Sequence, residues 1–60
     1  MPELNSEQLE DLWERLADAI NAAGPDRAPL FLSKLALLMG RALGDAGTIE
    51  RLIEIASADL

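Results

Sequence analysis

Apolar residues in the first third of the chain recur at helical spacing. They fall at i, i+3, i+4, i+7, i+8, i+11 and i+14, and they are Leu9, Leu12, Trp13, Leu16, Ala17, Ile20 and Ala23. This pattern is typical of one stripe of an α-helix, and strand alternation fits nowhere in it. Asn5 with Gln8 predicts an N-terminal capping box, Ser6 is the rival cap, and Gly24 before a proline predicts the end. We expect a first helix over about residues 6–23.

The middle of the chain is more apolar than either side. Of the fourteen residues that precede Gly44, ten are apolar. A helix there would be apolar over much more than half of its circumference. Asp26 can serve as its N-cap, and Pro29 suits the first turn, where its missing N–H costs nothing. Gly44 then supplies the stop, so we expect a second helix over about 27–43, with a start that could lie anywhere from 26 to 29.

A third helix is predicted over about 46–58. Asp45 can cap it. Its apolar positions again form one stripe, which consists of Ile49, Leu52, Ile53, Ala56 and Leu60. Since the connections are short, helices that are neighbours in sequence should run antiparallel. The fold class is therefore all-α, with three short helices in an antiparallel bundle or an open helical array, forming a single domain over residues 1–60.

The length and composition of the chain exclude several kinds of chemistry. With 60 residues, it can bury only about 60% of the surface that its unfolded form exposes. Cysteine and histidine are both absent, which removes disulfides, thiolate or imidazole metal ligands, thiol nucleophiles and histidine acid–base catalysis. A compact chain this small then depends on oligomerisation or on very regular helix packing for stability. We expect dimerisation to complete the fold.

The acidic balance of the chain limits its partners. A formal net charge of −6 would repel a nucleic-acid backbone or an anionic membrane surface, so neither is an expected partner. The start of the chain lacks the basic and apolar regions of a signal peptide, and no apolar run approaches the ~20 residues that span a bilayer. A cytoplasmic location is the expectation.

Two leucines lie away from the main apolar arc of the second helix. That arc holds eight residues that the other two helices could bury: Phe31, Leu32, Leu35, Ala36, Leu38, Met39, Ala42 and Leu43. Leu30 and Leu37 fall on the opposite side, in a row with Lys34 and Arg41 at i, i+4, i+7 and i+11. If they stayed exposed, each leucine would forgo on the order of 1.5–3 kcal/mol of burial.

We therefore expect this row to contact another protein, as a homodimer or a stable heteromeric partner built mainly on the second helix. The first helix offers the complementary charges, which are Glu7, Glu10, Asp11, Glu14 and Asp18. Such charges set register and association rate more than affinity. Trp13 is expected to serve as a core residue or an interface anchor rather than as a stack for a ligand. The alternative is that Leu30 and Leu37 are ordinary surface residues, which are common singly.

No set of residues predicts catalysis, cofactor binding or a metal site. Glu10/Glu14 and Glu50/Glu54 are carboxylate pairs at i, i+4, but dinuclear metal sites in helical bundles also use histidine. Ser33 has no basic partner except Lys34, which points elsewhere on the helix. Leu32 stands where an acyl carrier protein would have the aspartate that precedes its modified serine. We expect no enzyme activity.

The segment Leu35 to Asp45, LALLMGRALGD, is followed by Ile49-Glu50-Arg51-Leu52-Ile53. This pattern resembles a family of short bacterial helical proteins in which a leucine-rich helix ends in a Gly-Asp turn. The resemblance covers about residues 9–56, and the chain departs from the family near Gly40, where members carry more polar residues. It implies a three-helix fold, and the family has no assigned activity that the resemblance could carry over to this chain.

These observations together predict a small acidic module that binds other proteins or copies of itself. Two other functions remain open. One is a carrier of small apolar ligands, with a cavity of several hundred Å³ lined by leucines, Met39 and Phe31. The other is an accessory subunit of a larger enzyme.

Overall fold

In the computed structural model, residues 3–58 are described. Three helices follow one another: α1 spans Ser6–Ala23, α2 spans Ala28–Leu43 and α3 spans Ala46–Ala58. No strand occurs in residues 3–58. The all-α prediction is confirmed, and the bounds of α1 and α3 are those expected. α2 begins at Ala28, inside the predicted range of starts.

The start of α1 has the predicted capping box. The backbone N–H of Gln8 donates to the Asn5 side-chain oxygen at 2.8 Å, and the Asn5 N–H donates to Gln8 Oε1 at 3.0 Å. Asn5 is thus the cap rather than Ser6. α1 and α2 both end at glycines with positive φ, 81° at Gly24 and 73° at Gly44. An L side chain rarely adopts this conformation, so the two glycines fix where the helices stop.

The expectation that Asp26 caps α2 is wrong. The cap position belongs to Arg27, whose φ of −105° and ψ of −10° are helical, and no side chain bonds to the first turn. The Gly24 carbonyl instead accepts the N–H groups of Arg27, at 3.2 Å, and Ala28, at 2.9 Å. Because residues 25–27 already form a turn, the backbone leads directly into α2. A capping side chain needs an extended backbone, which this turn lacks.

Asp45 caps α3 as predicted. Its side chain accepts the N–H of Gly47 at 3.2 Å and the Thr48 hydroxyl at 2.7 Å. These bonds favour the ionised carboxylate. The Thr48 hydroxyl first, then the backbone N–H groups of Thr48 and Gly47, therefore hold the pKa of Asp45 below its usual value.

This cap predicts an acid-sensitive α3. Because the pKa of Asp45 is lower in the folded chain, the ionised carboxylate stabilises the fold. This stabilisation is complete above the pKa of an aspartate in the unfolded chain, about 3.9, and is lost as the pH falls through the lower pKa of the folded chain. We expect the helical circular dichroism signal to fall more steeply between pH 4 and 2 in the natural chain than in Asp45→Asn, because asparagine caps without titrating. Asp45→Ala, the control without a cap, should have reduced helicity even at neutral pH. Identical titrations of the natural chain and Asp45→Asn would contradict the prediction.

α1 and α2 approach each other mainly near the turn that connects them, while α3 touches α2 at its first turn. The half-buried residues of α1 all lie on one stripe: Leu12, Leu16, Ala19, Ile20 and Ala23. In the first half of α2, the half-buried residues are Ala28, Phe31 and Leu35. Ile49 Cδ1 of α3 lies 3.3 Å from the position that a Cβ on Gly40 would take. A side chain at Gly40 would press on Ile49, so the glycine leaves room for this contact.

The three helices do not enclose a core. No residue among 3–58 is buried. Several residues expected to be core are exposed, which corrects those predictions: Leu9, Trp13, Ala17, Leu32, Ala36, Leu38, Met39, Ala42, Leu52, Ile53 and Ala56. Leu60 lies outside the described residues. α1 covers only one strip of α2, and α3 diverges after Ile49, so the helices form an open array rather than a closed bundle.

The dimensions of the chain fit this open arrangement. Its accessible surface is 5613 Å², whereas a compact protein of 6.5 kDa exposes about 3,800 Å². Its radius of gyration is 12.7 Å, against about 10 Å for a compact chain of this length. The chain therefore exposes roughly 1,800 Å² more than a compact domain of its mass would.

Candidate interaction surface

One side of α2 presents exposed leucines beside two cations. Leu30 is 62% exposed and Leu37 is 76% exposed, so neither is covered by the chain itself. Lys34 and Arg41 alternate with them along the helix, as the sequence places them. We call this surface the α2 face, and it consists of Leu30, Lys34, Leu37, Leu38 and Arg41.

Leu38 is an unexpected member of the α2 face. From its spacing, Leu38 was expected in the arc that the other helices bury, but it is 62% exposed. At 100° per residue it lies 40° from Lys34 on the helical wheel. Its position at the edge of the arc could have indicated that it would be exposed. In the structure, α1 does not extend over this edge.

An apolar groove lies where the end of α1 meets the first half of α2. Its volume is about 360 Å³. We call it the α2 groove, and it is lined by Ala23, Arg27, Leu30, Phe31, Lys34, Leu35 and Leu38. Arg27 and Lys34 are the charged residues of this lining. Arg27 was not among the residues expected in the site, although its spacing of seven residues from Lys34 repeats between Lys34 and Arg41.

Trp13 projects from α1 into solvent. It is 76% exposed, which leaves the interface-anchor interpretation open and overturns the core interpretation. Its neighbours along the helix, Glu10 and Glu14, form with it and Leu9 the rim of a second, shallow hollow. We call these four residues the Trp13 ridge. An exposed aromatic side chain beside carboxylates is a surface of the kind found at protein interfaces.

The charges of α1 and α2 are segregated. α1 carries five carboxylates and one guanidinium, Arg15. From Arg27 to Gly44 the chain has three cations, Arg27, Lys34 and Arg41, and no carboxylate. The α2 groove and the α2 face are thus basic and apolar, whereas the Trp13 ridge is acidic and apolar. The two surfaces are complementary in charge.

The hydroxyls of Ser33 and Ser57 have local backbone partners. Ser33 Oγ donates to the Pro29 carbonyl at 2.9 Å, and Ser57 Oγ donates to the Ile53 carbonyl at 2.8 Å. These are side-chain bonds to the preceding helical turn. Among residues 3–58, no cluster of three or more Asp and Glu side chains could hold a metal ion.

α3 adds a separate apolar surface. Leu52, Ile53 and Ile55 are all more than half exposed. Leu52 and Ile53 belong to the stripe predicted from the sequence, and Ile55 lies outside it. α3 touches α2 through Ile49, and the described residues of its stripe beyond Ile49 stay exposed.

Over the described part of the chain, none of the helices combines the length and apolar character needed to cross a bilayer. No protein-family model matches the chain, and neither the curated proteins nor the solved structures contain a significant match.

Proposed function

We propose that this chain is a small, acidic, non-catalytic interaction module that completes its fold by associating with a second copy of itself through α2. The observation that carries the proposal is that residues 3–58 contain no buried residue. A chain of 60 residues with so little interior cannot offset the conformational entropy of folding alone. Burial of its exposed leucines against another chain supplies the missing free energy.

The exposed area has the size that a permanent interface requires. An ordinary stable complex buries about 800 Å² on each partner, and obligate dimers bury about 1,000–2,500 Å² on each. The roughly 1,800 Å² of excess surface on this chain falls in the obligate range. The α2 face contributes three exposed leucines to it, Leu30, Leu37 and Leu38, so we place the interface there.

The test is to follow association and folding together. Sedimentation equilibrium should show a dimer near 100 µM, and circular dichroism should show that helicity falls when dilution dissociates it. Because folding is coupled to association, a hundredfold dilution should destabilise the dimer by about 2.7 kcal/mol and lower its thermal midpoint.

A stable, fully helical monomer whose thermal midpoint does not change on dilution would contradict the proposal. The α2 groove favours one other function in that case. A groove of about 360 Å³ with an apolar floor and two cations suits a small amphipathic anion. If the monomer then gained thermal stability on addition of decanoate, the chain would be a carrier. The groove differs from the carrier site expected from the sequence, because Phe31 lines it but Met39 does not.

A further inference from the structure

We propose that the α2 groove of one copy is filled by the Trp13 ridge of a second copy, and that the two copies exchange this contact reciprocally. This inference rests on the proposed self-association and specifies which surfaces meet. It assigns Trp13 as the anchor of the interface, and Arg27 and Lys34 as the residues that receive the acidic side chains of the ridge.

The chain cannot fill its own groove with this tryptophan. The groove meets α1 at Ala23, the last residue of that helix. Trp13 lies ten residues earlier, about 15 Å along the helix axis. Its side chain is 76% exposed and remains on the part of α1 that is remote from the groove. An occupant of this kind must therefore come from another molecule.

The charges favour contact between α2 of one copy and α1 of the other, rather than contact between the two α2 helices. Two α2 helices facing each other would bring Lys34 and Arg41 of one copy against the same cations of the other, with no carboxylate between Arg27 and Gly44 to compensate. Like charges at an interface disfavour that pairing. The Trp13 ridge instead presents Glu10, one turn before Trp13, and Glu14, the next residue along the helix, to the cations Arg27 and Lys34 that line the groove.

The apolar residues of the two surfaces are also complementary. Leu30, Phe31 and Leu38 give the groove an apolar floor, and Trp13 with Leu9 gives the ridge an apolar crest. Tryptophan is enriched among the residues that carry interface energy, in pockets closed to water. In a dimer with two-fold symmetry, each copy donates one ridge and receives one, so both contacts form together.

Trp13 is the chain's single tryptophan, so its fluorescence reports directly on its own environment. We expect emission at short wavelength in the concentrated dimer and a shift to longer wavelength on dilution, in step with dissociation measured by sedimentation. This measurement needs no substitution. If the chain dimerises while the emission of Trp13 stays that of an exposed indole, the ridge is not in the interface and the inference is wrong.

A charge-exchange experiment tests the pairing of the two surfaces. One variant carries Glu10→Lys and Glu14→Lys, and the other carries Arg27→Glu and Lys34→Glu. Each alone should dimerise at least tenfold more weakly than the natural chain, because both of its reciprocal contacts become repulsive. An equimolar mixture should recover the natural affinity, since the heterodimer has opposite charges at both contacts.

The outcomes separate this inference from the proposed function. If the natural chain dimerises and the Glu10→Lys/Glu14→Lys variant dimerises equally well, self-association stands and the ridge-in-groove contact is overturned. Failure of the mixture to recover affinity also overturns it, and the uncharged pair Glu10→Gln/Glu14→Gln checks that the ridge variants fold. If the natural chain is monomeric at every concentration, the proposed function and this inference both fail.

Discussion

Leu37→Asp is expected to weaken self-association at least a hundredfold. Leu37 lies in the middle of the α2 face and is 76% exposed in the single chain. Most of its side-chain surface is therefore available for burial against a partner. The substitution removes roughly 1.5–3 kcal/mol of burial and adds a carboxylate that must lose its water. A hundredfold change corresponds to about 2.7 kcal/mol, and sedimentation equilibrium over a range of concentrations measures it.

Ile55→Asp is the matched control for that prediction. Ile55 is 63% exposed on α3, and the change from an apolar side chain to aspartate is the same. We expect it to weaken association much less than Leu37→Asp, because it lies outside the α2 face. Leu37→Ala, which removes the side chain without adding charge, should fall between the two. Equal effects of Leu37→Asp and Ile55→Asp would show that the α2 face has no special part in the interface.

Gly40→Leu is expected to detach α3 from α2. A Cβ at Gly40 would already lie 3.3 Å from Ile49 Cδ1, so a whole leucine side chain requires the space that Ile49 occupies. Overpacking of this kind costs about 1–3 kcal/mol, more than the ~1 kcal/mol that leucine gains over glycine in helix propensity. Once separated, a helix of 13 residues is marginal in water. We expect the helical circular dichroism signal to fall by up to about a quarter, the share of α3 in the helical residues.

Two variants control for the Gly40 prediction. Gly47→Leu makes the same change within α3, where a Cβ would meet only Asp45 Oδ1 at an ordinary 3.6 Å, and it should retain or raise helicity. Gly40→Leu combined with Ile49→Ala returns space at the contact and should restore part of the lost signal. A Gly40→Leu chain with undiminished helicity would mean that the approach of α3 to α2 does not depend on the missing side chain.

Local signals predicted the helices because those signals act within a few residues. The capping box of Asn5 and Gln8, and the aspartate cap at Asp45, need only neighbouring backbone groups, and each has its expected hydrogen bonds. The stops at Gly24 and Gly44 depend on a positive φ that glycine adopts without strain. Asp26 does not cap α2 because, in the turn at residues 25–27, the Gly24 carbonyl already accepts the N–H groups of Arg27 and Ala28. The preference of aspartate for cap positions gives no indication of such a turn.

The row of Leu30, Lys34, Leu37 and Arg41 could also be placed on one face from spacing alone, because helical periodicity is a property of the chain. Their role in association is still a prediction. Trp13 and Leu38 could not be placed as well. Leu38 lies at the edge of its arc, and Trp13 lies on the side of its stripe that stays exposed. Whether an edge residue is covered depends on the width and angle of the neighbouring helix, and periodicity contains neither.

The sequence by itself thus determined three helices, their ends, and which residues share a face, because hydrogen bonds, caps and periodicity are local. The tertiary structure decided how little of each apolar face the chain can cover. That outcome depends on the angles at which the helices cross. Here α3 contacts α2 where Ile49 meets Gly40, and α1 covers only part of α2. The exposed Trp13 and the basic groove on α2 became visible only when the helices were set against one another in space.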